Sequence, residues 1–112
     1  MVDQKSGRSD AISVHELKDR LDKGEKITIL DVREKSEFQI CNIGGILIPL
    51  RQLPEKMSEL DAEGETVVIC HSGNRSLMAV RFLQSAGFQN VKNLTGGIDA
   101  WARFIDPAMR RY

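Results

Sequence analysis

The sequence carries no net charge: sixteen basic residues stand against sixteen acidic ones in 112. Without a basic excess, sequence-independent binding to nucleic acid has no electrostatic support. No apolar run approaches the ~20 residues that cross a bilayer, so no membrane partner is expected. Residues 1–10 are polar and charged, unlike a secretory signal, and read as a flexible leader before a single domain over residues 11–112. With no export signal, a cytoplasmic location and reduced thiols are expected. Cysteine is scarce. Cys41 and Cys70 lie 29 positions apart, with no CxxC pair and no histidines at ligand spacing, which excludes a zinc site. There is no internal repeat and no low-complexity linker. A chain of this length buries about two-thirds of its unfolded surface, enough to fold without crosslinks or a structural metal.

What is present is an alternation of short apolar runs and amphipathic stretches. Ser13, with Glu16 three positions on, has the form of a capping box, and Leu17 and Leu21 share the face of the helix it would open. Residues 27–30 form a β-branched run that reads as a buried strand ending at Asp31. A short helix is expected over 34–40 and a strand over 46–48. A helical stretch broken at Pro54 fills 50–60, and the clearest strand is 66–69. Residues 70–75 read as a polar turn, 76–86 as a helix, 91–94 as a strand and 98–104 as a last helix. The pattern predicts an α/β domain: a mainly parallel sheet of about five strands with helices on both faces. In such sheets the carboxyl ends of the strands share one edge, where ligands bind. Asp31 and Cys70 both follow strands and should point there.

The segment Cys70-His71-Ser72-Gly73-Asn74-Arg75-Ser76 carries the chemistry. A loop wrapped around a strand end can turn several backbone N–H groups toward one point, making an anion nest. A following helix adds partial positive charge, Gly73 permits positive φ, and Arg75 adds a fixed cation. A thiol in that setting ionises readily, and the thiolate is the nucleophile. The same nest would hold a persulfide, Cys70–S–S⁻. The scheme needs no cofactor and no general base.

These residues resemble the rhodanese-like domain family. Asp31-Val32-Arg33-Glu34 with Glu37-Phe38 is similar to the family's Asp-Val-Arg-Glu motif, Cys70 to Ser76 to its active-site loop, and Gly96-Gly97 with Ala100-Trp101 to its C-terminal signature. The resemblance covers about residues 11–105. It implies that Cys70 accepts sulfur and that His71, Ser72, Gly73, Asn74, Arg75 and Ser76 surround it. Asp31 and Arg33 would support the loop, as a buried ion pair, as a strand-end cap or in direct contact with substrate. The stretch from Ile40 to Leu50, and the ending from Trp101 to Pro107 with Tyr112, are similar to the rhodanese domain of ThiF/MoeB-type adenylyltransferase–sulfurtransferases. That likeness implies a sulfur donor, thiosulfate or a cysteine desulfurase persulfide. It also implies a ubiquitin-like sulfur-carrier acceptor and a fused or separate adenylyltransferase, in molybdopterin, thiamine or tRNA thiolation. No adenylating domain is present in this sequence.

Two other functions share parts of the pattern. A cysteine phosphatase or arsenate reductase of the cell-cycle-phosphatase type uses a thiolate in an anion nest, but with five residues between cysteine and arginine. Here four residues intervene, which suits a single sulfur atom better than a tetrahedral oxyanion. A non-catalytic binding module is the other, and the presence of Cys70 counts against it. Cys41 is expected to be a packed apolar side chain rather than a resolving thiol, Trp101 a core residue, and Arg51 a solvated one.

Overall fold

The computed structural model describes residues 10–112; residues 1–9, most of the expected leader, lie outside the described residues. Asp10, assigned to that leader from sequence, is tied to the sheet: its carbonyl accepts from the Asn93 N–H at 2.7 Å. Five strands, β1 (Ala11–Ile12), β2 (Thr28–Asp31), β3 (Ile46–Leu47), β4 (Thr66–Ile69) and β5 (Val91–Leu94), form one sheet in the order β1-β5-β4-β2-β3. Every adjacent pair is parallel. The helices are α1 (Val14–Asp22), α2 (Lys35–Ile40), α3 (Leu53–Lys56), α4 (Asn74–Ser85) and α5 (Gly97–Phe104).

Central strand β4 is buried at every position, as a strand covered on both faces must be. Its alternate side chains serve two cores. Val68 joins Leu30, Leu53, Ala79, Val80 and Leu83 on the face covered by α3 and α4. Val67 and Ile69 join Ile29, Leu17, Ile98 and Trp101 beneath α1 and α5. Trp101 is a core residue, and Cys41 packs in the second core, whereas Cys70 packs in the first. Among the described residues, no helix is long and apolar enough to cross a membrane.

Three details differ from the sequence reading. The short edge strand β1 is too brief to show a period. The stretch over 50–60 is not one helix but α3 between two 3-10 turns, Leu50–Gln52 and Met57–Glu59, with Pro54 tolerated in the first turn of α3. Helix α4 begins at Asn74, two residues before the expected start, with Gly73 as its N-cap at φ 115°. At α1, Ser13 accepts from the Glu16 N–H at 3.0 Å as expected. The fully reciprocal capping box belongs to α2, between Glu34 and Glu37.

Candidate active site

All five strands run the same way, so their carboxyl ends meet at one edge, and β2 and β4 are neighbours there. Asp31 and Cys70 therefore emerge side by side. Cys70 is 1% exposed. The Gly73 N–H donates to Cys70 Sγ at 3.1 Å, and Ser76 Oγ lies 3.3 Å from the same sulfur. Burial works to raise the thiol pKa. Hydrogen bonds from the Ser76 hydroxyl and from the N–H groups of Ser76, Gly73 and Ser72 outweigh it, and the net shift is downward. With the helix starting at Asn74, the sulfur sits at the N-terminus of the 12-residue α4, where unpaired amides and the helix dipole favour an anion.

The loop has this orientation because its carbonyls are taken elsewhere. Cys70 and His71 direct theirs to the N–H groups of Ile98 and Asp99, at 2.9 and 3.0 Å, in the first turn of α5. That approach requires Gly97: a Cβ there would lie 2.5 Å from both carbonyl oxygens. On the other side, Asn93 holds the loop by donating to the Gly73 carbonyl at 3.2 Å and accepting from the Ser76 hydroxyl.

Asp31 and Arg33 are both fully buried and form the ion pair that was one of the sequence alternatives, Nη2–Oδ2 2.7 Å. Arg33 also donates to the Cys41 carbonyl at 2.8 Å and to Tyr112 Oη at 3.0 Å. The pair braces the edge, joining β2, the end of α2 and the C-terminal segment. Arg75 has a partner that the sequence did not reveal. Its two terminal nitrogens grip Glu37 at 2.7 and 2.9 Å, so its charge is matched by a carboxylate instead of standing free beside the sulfur. His71 stacks on the Tyr112 ring with centroids 4.3 Å apart, and Ser72 and Asn74 are exposed. Arg51 is exposed and pairs with Glu34.

Three residues of this network were not singled out for a site role from the sequence. Glu37 collects Arg75, the Glu34 N–H and the Tyr112 hydroxyl. These hydrogen bonds, that from Arg75 above all, overcome partial burial and pull its pKa down to about 2. Its only signal was its place beside the Asp-Val-Arg-Glu motif. Tyr112 marked the ending without suggesting that it returns to the loop. Asn93 sits beside Lys92 in the middle of β5 and gave no signal.

The Rhodanese-like domain model matches residues 13–104. The chain is 41% identical over 104 residues to the adenylyltransferase and sulfurtransferase MOCS3-2 of Zea mays, covering 86% of this chain and 22% of that protein. It is 39% identical over 93 residues to the chloroplastic rhodanese-like/PpiC domain-containing protein 12 of Arabidopsis thaliana, covering 79% of this chain and 31% of that protein. It thus spans less than a third of either curated relative. The crystal structure of a rhodanese-related protein from Thermoplasma volcanium superposes with a TM-score of 0.75 at 35% identity, covering 83% of this chain and 90% of that one.

Proposed function

The chain belongs to the rhodanese-like domain family, and from that premise we propose that it is a sulfurtransferase carrying sulfane sulfur as a persulfide on Cys70. The observation that supports this most is the convergence of main-chain N–H groups and the Ser76 hydroxyl on one sulfur atom, with the thiol pKa lowered in spite of burial. In the first half-reaction the Cys70 thiolate attacks the outer sulfur of a donor, whose S–S bond breaks. The donor leaves as a thiolate, or as sulfite from thiosulfate. In the second, an acceptor nucleophile takes the terminal sulfur and the thiolate returns. Both loaded and unloaded forms are sulfur anions, so the same donors serve each. His71, Ser72, Gly73, Asn74, Arg75 and Ser76 form the substrate loop in this reading, and Asp31 and Arg33 keep the strand edge in place.

A relative named as adenylyltransferase and sulfurtransferase supports an acceptor of the carrier-protein kind, activated by an adenylyltransferase that is fused or separate. A reducing cytoplasm would keep both cysteines available as thiols. The test is intact-mass measurement after incubation with thiosulfate. A gain of about 32 Da, one sulfur, that is absent in Cys70→Ser is the expected result. Hydrolysis of an aryl phosphate with no sulfur gain from any donor would overturn it in favour of a phosphatase.

A further inference from the structure

A cleft of about 430 Å³ lies between the start of α1 and the outer face of α5, with Val14, Ala100 and Phe104 on its walls. Ser72 is among its lining residues and also gives the sulfur an N–H donor, so one residue belongs to both cleft and nest. The cleft is mostly apolar, and Phe104 leaves 56% of its surface in water. Single exposed apolar residues are common, but here the ring stands beside an open apolar wall. The cleft's titratable lining groups are His15, Arg103 and Asp99, beside neutral Ser13, Ser72 and Thr95. Arg103 lies over the Phe104 ring at 5.3 Å, and His15 is beside it with centroids 5.8 Å apart. Asp99, the acidic residue of the lining, is already matched by Arg111 at 2.9 Å. Among the described residues, Arg103 has no carboxylate partner.

We propose that this cleft docks an extended segment of a protein persulfide donor, with an apolar side chain against Ala100 and Phe104, an acidic one at Arg103, and its persulfide delivered past Ser72. The inference rests on the persulfide role of Cys70 and adds the kind of donor. A small inorganic anion has no use for an apolar wall; a peptide segment with mixed side chains fills both parts of it. The step balances: R–S–SH meets the Cys70 thiolate, the donor's S–S bond breaks, and a new S–S bond forms on Cys70. R–S⁻ leaves, and Cys70–S–SH gives up its proton to water to become the persulfide anion, with no net oxidation.

The experiment uses a short synthetic peptide with leucine and aspartates before a terminal cysteine persulfide, a lysine counterpart, and thiosulfate. The expected result is loading of Cys70 roughly tenfold more efficient from the acidic peptide than from the lysine one. In Arg103→Glu that preference inverts, and in Phe104→Ala it shrinks for both peptides. Loading from thiosulfate stays within about twofold in both variants, whose altered side chains are exposed and lie outside the sulfur nest. Equal loading by the two peptides, or equal losses with thiosulfate, would overturn the proposal. A serine-ended analogue followed by fluorescence anisotropy separates docking from chemistry. Binding that Arg103→Glu weakens supports the cleft even if no donor loads Cys70, in which case the persulfide reading alone fails. Binding that neither variant weakens sinks the cleft.

Discussion

Arg75 and Glu37 form a two-pronged pair, Nη1–Oε1 2.7 Å and Nη2–Oε2 2.9 Å, that ties the first turn of α4 to α2. The cation nearest the sulfur in sequence thus arrives with its own counter-ion. The field at Cys70 is set mainly by neutral donors, and the ion pair trims it. The two members should therefore push the thiol in opposite directions. Glu37→Gln leaves Arg75 unmatched and should lower the Cys70 pKa by a few tenths; Arg75→Ala leaves the carboxylate and should raise it by a similar amount. Thiolate ultraviolet absorbance against pH measures both. Shifts of the same sign would show that the pair acts by geometry instead of charge.

Ser76 places its hydroxyl within hydrogen-bond reach of the sulfur, at 3.3 Å. Its hydroxyl has one proton and two claimants, Asn93 Oδ1 and Cys70 Sγ. Ionisation of the thiol is stabilised when that proton turns to the sulfur. Ser76→Ala removes the option, and the thiol pKa should rise by about one pH unit, roughly 1.4 kcal/mol. Iodoacetamide reaction rates across pH would report the shift. The variant also takes a donor from the half-buried Asn93 oxygen, at a cost of about 1 kcal/mol in stability.

Acid should weaken the fold through Glu37. Its folded pKa, about 2, lies below the ordinary carboxylate value of 4.5. A depressed carboxylate contributes stability that is fully present above 4.5 and lost as pH falls toward 2. After discounting for partial exposure, the contribution is about 2 kcal/mol. Glu37→Gln should flatten this limb of a denaturant-midpoint profile while the wild type declines; parallel profiles would refute the assignment.

The Asp31–Arg33 pair permits a larger effect. Both side chains are fully buried, so Asp31→Ala leaves a guanidinium without its counter-charge in the interior. Loss of one partner of such a pair typically costs about 3–5 kcal/mol. Chemical denaturation should show that loss, with Asp31→Asn milder because one acceptor oxygen remains. A change below about 1 kcal/mol would mean that the pair is not structural.

How much of this was legible beforehand depends on the range of the forces involved. Residues 66–69 announced β4 through four consecutive residues with high strand propensity or apolar character, and the start of α1 at Ser13 was set by a local cap. Both are short-range effects written into neighbouring residues. Cys70 was legible because the glycine and the helix that shape its loop follow within a few positions. The start of α4 was missed because Asn74 and Arg75 are polar and look like loop, while the helix geometry is set by Gly73 at the cap. The partners of the loop were hidden for another reason. Glu37 meets Arg75 across 38 positions, and Tyr112 meets His71 across 41, through the folded chain alone.

The withdrawal of the Cys70 and His71 carbonyls into α5 bears on how this site can diversify. Since much of the grip on the sulfur comes from amides, which every residue but proline supplies, the side chains of His71, Ser72 and Asn74 can vary without disturbing it. Selectivity for one trading partner over another can drift at the rim while the reactive atom keeps its surroundings. Gly97 is the position where such drift stops, because its backbone must stay bare for the carbonyls to reach their seats.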